Sequence, residues 1–283
     1  MTVISNPHDR FFKETFSRME SARDFVLHYL PSEVTALLDL ESLEATKDSF
    51  VGKDLMERFS DMLYCVNLRQ GRQAYIYLLF EHKSSPEPLI HLHLLRYMVK
   101  IWEQGLKQGK TWPLPPILPI VVYHGKPKWK VSVDSHTLFA PPDALKRYTP
   151  DFRYLLFDLS RYRDEEIKGV VILKVGLLLL KHIFSEDLGS RLPEILGLLS
   201  HLSDKDSGIE YLETILRYLA SGTDRVSGDD IGKAVTGIIE GGGENIMPTL
   251  AEQWIEQGVE KGLQEGIQRG LQEGIQRGIQ EGI

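Results

Sequence analysis

Two apolar runs face each other across a short polar break. Met62-Leu63-Tyr64-Cys65-Val66 is followed by the glycine-containing stretch 68–73 and then by Ala74-Tyr75-Ile76-Tyr77-Leu78-Leu79-Phe80. Aromatic and branched residues around a polar turn predict a β-hairpin. With the turn centred near Gln70 and Gly71, antiparallel partners have numbers that sum to about 141 or 142. Asp61 then lies opposite Phe80 or Glu81, and alternation puts Glu81 and Lys83 on one face.

Around the hairpin the pattern predicts further elements. Residues 10–29 read as a helix with Phe11, Phe12, Phe16, Met19, Phe25 and Val26 as its apolar positions, stopped by Pro31. Residues 32–43 read as a second helix, and 48–59 as a loop or short strand. Residues 89–108 read as a helix with an apolar stripe through Leu92, Leu95, Met98 or Val99, and Trp102. Residues 117–123 form a buried strand with Pro119 at an edge or entry position. Residues 129–133 and 153–159 read as two more strands. Past residue 160 the pattern is helical, at 165–184, 192–202 and 209–220, with Gly241-Gly242-Gly243 as a linker. Alternating helices and strands followed by helices predict an α/β part with a mixed sheet and then a helical region. The organisation expected is 1–160, 161–247 and a tail, 248–283.

The tail is a tandem repeat. Glycines recur every fourth residue from Gly258 to Gly282, each followed by an aliphatic residue. A glycine costs a helix about 1 kcal/mol against alanine, and a period of four drifts against 3.6 residues per turn. A helical seam between subunits, a frayed tail and an expanded repeat with little function are all compatible with it.

Composition narrows the class. The 283 residues, 42% hydrophobic and 26% charged, suit a globular protein. The single cysteine, Cys65, excludes an internal disulfide and suits a reducing cytoplasm. Residues 1–12 lack a signal-peptide core and the greasiest run, 170–180, is too short to span a bilayer, so a soluble cytoplasmic protein is expected. The net charge of −7 hides an uneven spread. From 83 to 130 there are eight Lys or Arg (83, 96, 100, 107, 110, 126, 128, 130) against Glu87 and Glu103. A basic middle third in an acidic chain is compatible with a local nucleic-acid surface or with plain solvated charge.

The hairpin carries the candidate chemistry. Two carboxylates, Asp61 and Glu81, meet at one end of an apolar element, where they need a partner or a cation. Mg²⁺ is commonly held by one or two carboxylates with water and phosphate completing its shell. Lys83 could orient a water or offset charge on a phosphate. That set fits metal-assisted phosphodiester hydrolysis, although solvated charges at a hairpin end would look the same. His91 and His93, two residues apart on a helix, face different ways and make no metal pair. Arg96 and Lys100, at i and i+4, can reach flanking phosphates or water.

A wider set of motifs adds to this. Pro7-His8-Asp9-Arg10-Phe11-Phe12-Lys13, Leu30-Pro31, Ser60-Asp61-Met62-Leu63-Tyr64, Phe80-Glu81-His82-Lys83-Ser84-Ser85, Leu95-Arg96-Tyr97-Met98 and Pro119-Ile120-Val121-Val122-Tyr123-His124-Gly125 stand in this order. Together they resemble the Rpn family of bacterial recombination-promoting nucleases, also labelled transposases, over about residues 7–160. The resemblance implies a PD-(D/E)xK restriction-endonuclease-like core of order αβββαβ, a Mg²⁺-type cofactor and DNA endonuclease activity. It makes Asp61 and Glu81 metal carboxylates and Lys83 the catalytic lysine; in the working mechanism a backbone carbonyl near His82 is the third ligand. An acid from the first helix is often added, for which Asp9 is preferred over Glu14. Ser60 replaces the proline of the superfamily name, and Lys83 stands where many relatives have glutamine. Tyr123 and His124 are either core or substrate contacts. Strand transfer by a transposase, and a non-catalytic DNA-binding or oligomeric assembly protein using the helical region and tail, are the alternatives.

Overall fold

The structure is a computed structural model, and it describes residues 7–46, 60–71, 73–81, 87–109, 113–202 and 204–240. The expected loop at 48–59, the glycine linker and the repeat tail lie outside the described residues, as do His82 and Lys83.

Two helices open the chain, α1 (Pro7–Phe16) and α2 (Met19–Tyr29). The single helix expected here is broken at Ser17-Arg18, where Arg18 is extended at φ −75°, ψ 112°. The break lets both helices bury phenylalanines. Phe12 and Phe16 lie 4.3 Å apart by ring centroid, and Phe16 meets Phe25 edge-on at 5.2 Å. The second expected helix shrinks to a single turn, Ser32–Thr35, and the chain then enters strand β1 (Leu38–Ala45).

The hairpin follows as β2 (Ser60–Leu68) and β3 (Gln73–Glu81). Gly71 takes φ 85°, the left-handed region that favours glycine, and its N–H donates to the Leu68 carbonyl at 2.8 Å. Helix α3 (Ile90–Lys107) carries the chain over to β4 (Ile117–Tyr123), and β5 (Leu155–Asp158) completes a five-stranded sheet in the order β1-β2-β3-β4-β5. The first two pairings are antiparallel and the last two parallel, so the sheet is mixed. Residues 129–133 form no strand; the region contributes one isolated bridge, Asp134 to Arg153. Pro119 pairs with Tyr77 on β3 but lies ahead of Ile120, where β5 begins to pair. Its missing N–H therefore falls at an entry position of an interior strand.

Both faces of the sheet are buried. Tyr64, Val66, Ala74, Ile76, Ile120, Val122 and Phe157 join one core with α1, α2 and the later helices. Leu63, Cys65, Tyr75, Val121 and Tyr123 pack on the other side with Ile90, Leu94, Tyr97 and Ile101 of α3. Cys65 is a buried core residue, as expected. Helix α3 turns a different stripe to the sheet from the one predicted. Leu92 and Val99 are exposed while Ile90, Leu94, Tyr97 and Ile101 are buried. The helix has two apolar stripes, and periodicity alone does not choose between them.

Helices α4 (Val171–His182), α5 (Leu188–Gly197), α6 (Lys205–Gly222) and α7 (Gly228–Glu240) close over α1 and α2. Phe11 stacks on Tyr218 of α6 at 4.1 Å and 4°, and Thr15 shares a buried 2.7 Å hydrogen bond with Tyr211. No described helix is long and apolar enough to cross a membrane.

Asp164 pins the connection after β5 to these helices. It receives hydrogen bonds from Lys181, from His182 Nε2 on both oxygens at 2.9 Å, and from Arg191 at 3.2 Å. Burial pushes its carboxyl up, but the bonds from Lys181 and His182 outweigh it and hold the group below its ordinary 3.8. A carboxyl depressed on folding adds stability above its unfolded value, and that increment is lost as pH falls through the folded value. Asp164→Asn should therefore lower stability by roughly 1–3 kcal/mol at neutral pH. In urea melts from pH 7 to pH 3 the gap from wild type should close in the acid range; a gap independent of pH would count against this account.

Candidate functional site

The hairpin register decides whether the two carboxylate positions share a side of the sheet. Observed partners sum to 140: Asp61 pairs with Leu79 and Ser60 with Phe80. The turn is centred on Gln70, between the pair Asn67 and Gln73, so the expected pairing of Asp61 with Phe80 or Glu81 is off by one or two residues. Directly paired residues share a face, as do residues two apart. Positions 61, 79 and 81 therefore lie on one face, the side covered by α3, since Leu63 and Cys65 of the same parity pack there. Pairing with Phe80 would have put the two acids on opposite faces. Position 81 is the diagonal neighbour of 61, a backbone separation of about 7–8 Å.

Glu81 ends β3 beside the end of β4. It pairs with Tyr123, and Tyr123 pairs with Asp158 at the end of β5. One row across the sheet thus reads Glu81, Tyr123, Asp158. Tyr123 is buried and donates from its hydroxyl to the Pro127 carbonyl at 2.7 Å. Asp158 is 2% exposed and accepts from Ser160 N at 3.1 Å, Ser160 Oγ at 2.7 Å and Arg161 Nε at 3.2 Å. Those bonds cap the 3-10 turn Leu159–Arg161, so Asp158 serves the fold at this edge.

From the opposite face, the first turn of α1 reaches the same end of the sheet. The His8 ring lies 5.4 Å from that of His124 and 5.1 Å from that of Phe184. His8 Nδ1 shares a 2.8 Å hydrogen bond with the Tyr218 hydroxyl, and His124 Nδ1 donates to the Leu180 carbonyl at 3.0 Å. Asp9, half-buried, is the neighbour of His8 in that turn. Glu14 pairs with Arg10 at 2.9 Å. This histidine and aromatic cluster joins residues more than a hundred positions apart, and no spacing in the sequence announces it.

Arg96 and Lys100 do not join the edge. The buried stripe of α3 runs through Leu94, Tyr97 and Ile101, and Arg96 and Lys100 project from the other side of the helix. His91 is buried against Phe152 and Tyr154, and burial lowers its pKa. His93 is half-buried. Among the described residues no group of three or more His, Cys, Asp or Glu could hold a metal ion. The side chains of Asp61 and Glu81, and all of His82 and Lys83, lie outside the described residues.

Known proteins give the site its context. Residues 6–210 match the family described as "Putative transposase, YhgA-like". The chain is 32% identical to "Recombination-promoting nuclease RpnA" of Escherichia coli (strain K12), over 90% of this chain and 85% of that one. It is 33% identical to "Recombination-promoting nuclease RpnD" of Escherichia coli O157:H7, over 74% and 80%. It is also 31% identical to "Inactive recombination-promoting nuclease-like protein RpnE" of Escherichia coli (strain K12), over 77% and 71%. No solved structure matches the chain.

Proposed function

The chain belongs to the YhgA-like transposase family, and from that premise we propose that it is a divalent-metal-dependent DNA endonuclease acting in recombination. The observation that carries this reading is the shared face of positions 61 and 81 at the open end of the hairpin. A carboxylate from each of two backbone positions about 7–8 Å apart can bind one Mg²⁺-sized ion, whose ligands sit at about 2.0–2.1 Å. The element order, helices followed by β1-β2-β3, a crossing helix and β4, supports a PD-(D/E)xK type of core.

In this reading Asp61 and Glu81 hold the ion, with the His82 carbonyl as a third ligand and Asp9 as a further acid from α1. The ion, when bound, acidifies a water and draws charge from the scissile phosphate. Lys83 orients that water and offsets charge developing on the phosphate. Tyr123, the backbone partner of Glu81, is buried, and apolar surroundings of that kind strengthen charge interactions beside them.

Cutting of supercoiled plasmid in Mg²⁺, stopped by EDTA and restored by excess Mg²⁺, is the expected result. Cleavage that continues in EDTA would remove the metal from the mechanism. A second reading, a DNA-binding member that no longer cuts, is favoured by the relative named inactive. It predicts salt-dependent binding without product in any divalent metal.

A further inference from the structure

The basic residues first singled out for DNA, Arg96 and Lys100, face away from the sheet edge. A different basic segment leaves that edge directly. The chain runs from Tyr123, paired with Glu81, through His124-Gly125 into Lys126-Pro127-Lys128-Trp129-Lys130. Tyr123 and Glu81 stand one strand spacing apart, about 4.8 Å.

This loop is built to hold its shape. The Tyr123 hydroxyl donates to the Pro127 carbonyl at 2.7 Å, and the Trp129 indole donates to the Tyr154 hydroxyl at 3.0 Å. Trp129 is buried and meets the Tyr123 ring at 5.0 Å and 63°. Gly125 fits because a Cβ there would run into the Tyr123 ring, 2.8 Å from Cε2. Against these anchors Lys126, Lys128 and Lys130 are all exposed, and none pairs with an acid among the described residues. Elsewhere Lys146, Arg153, Arg163, Lys181 and Arg191 are each paired with a carboxylate. Three lysines with no acid partner among the described residues thus concentrate positive charge on an anchored loop.

Lys126 also lines an open cleft of about 490 Å³ together with Phe184, Thr223 and Arg225. Phe184 is the ring stacked at 5.4 Å on His124, so the cleft continues the same edge. Asp224 lines it too, and Arg225 lies 3.5 Å from Asp224 and 3.6 Å from Glu186. Both acids are more than four-fifths exposed, so water screens those pairs and a phosphate can displace them. The Thr223 Oγ1 accepts from Arg225 N at 3.1 Å, which leaves its O–H to donate.

We propose that Lys126, Lys128 and Lys130, with Arg225 and Thr223 across the cleft, form a track for the backbone phosphates of a nucleic-acid strand flanking the bond held at Asp61 and Glu81. The placement of the bond rests on the nuclease reading; the track itself does not. Lysines of this kind contact phosphates without reading sequence, so they set position and affinity. The C-terminal helices thereby contribute to the substrate surface through Arg225 and Thr223.

The test is binding of a fluorescent 30-base-pair duplex by the full chain in EDTA, read by anisotropy across NaCl concentrations. Each phosphate contact adds about 0.9 to the slope of log affinity against log salt. The triple variant Lys126→Gln/Lys128→Gln/Lys130→Gln is expected to flatten the slope by about 2–3, with affinity lost on the order of 10²-fold near 0.1 M salt. Adding Arg225→Gln should flatten it by about one more. The charge-matched control Lys146→Gln/Arg147→Gln/Arg153→Gln should leave the slope alone. If the triple variant melts lower than wild type, the Lys→Arg triple, which keeps the charge, should restore the slope. An unchanged slope in the triple variant overturns the proposal, as does an equal loss in the control or a wild type that binds no nucleic acid. So does saturable binding of inorganic phosphate that the triple variant loses while its duplex slope stays intact. A wild type that binds with the expected slope but never cuts leaves the track standing and removes the nuclease reading.

Discussion

Asp61→Ala and Glu81→Ala are each expected to lower Mg²⁺-dependent plasmid cleavage by about 10³-fold or more, and Lys83→Ala by about 10²-fold. The first two remove ligand charge from an ion asked for several kcal/mol of barrier lowering, and the third removes one electrostatic contact of about 3 kcal/mol. The three losses should not add, because the groups act on one phosphate. Positions 61 and 81 lie at the ends of their strands, beyond the buried residues Leu63, Cys65 and Tyr75 in the sheet. Far-UV circular dichroism should therefore be unaltered. Cleavage that survives all three substitutions would place the chemistry elsewhere in the molecule.

Gly176→Val should cause the largest loss of stability among single changes at a glycine. Gly176 is buried in α4, which packs on α1 and meets the Tyr211 side chain from α6. A Cβ there would sit 2.6 Å from the Tyr211 hydroxyl and 2.7 Å from Thr15 Cγ2. Those two side chains are fully buried and bonded to each other, so neither can swing away. Replacing glycine inside a helix gains up to about 1 kcal/mol of propensity, less for a branched residue. Overpacking of this kind costs about 1–3 kcal/mol or more, so the clash wins. A melting temperature lower by several degrees is expected. Gly176→Ala combined with Thr15→Ser and Tyr211→Phe removes both obstructing atoms and should recover most of what Gly176→Ala alone loses. Failure of that rescue in thermal melts would show that the contact is not the cause.

The hairpin, the strand Ile117–Tyr123 and the helical character past residue 160 were legible because their patterns are long and uninterrupted. Strand β1 was not. Its alternation Leu38-Asp39-Leu40 is broken by a register shift between Asp39 and Glu44, which moves the next leucine to 43 and imitates a helical step. The break between α1 and α2 carries no glycine or proline, and packing of the phenylalanines sets it. Helix α7 carries its start signal in the sequence. Ser227 N donates to Asp230 at 3.0 Å while Asp230 N donates to the Ser227 hydroxyl at 3.2 Å, a reciprocal cap spelled Ser-x-x-Asp.

For the site, the residue types were legible and the register was not. Where one face of a hairpin is wet, the apolar pattern fixes which residues point inward. Here both faces are buried, by Tyr64 and Ile76 on one side and Leu63 and Tyr75 on the other, so the pattern tolerates either parity. The estimate from the turn centre erred by one residue or two for that reason. The apolar stripe of α3 was misassigned on a related ambiguity, since the helix is apolar on two sides and the sequence does not say which one meets the sheet.

That double burial has an evolutionary consequence. The hairpin core would accept a strand slipped by one residue with little loss of apolar contact, and such a slip would carry the acid at 81 to the reverse side from the acid at 61. A change of one residue in the span from Leu68 to Gln73 is enough to produce it. On the proposed nuclease reading, a descendant of this fold loses its site with Asp61, Glu81 and Lys83 all still written in the chain, and the length of the turn records whether positions 61 and 81 share a side.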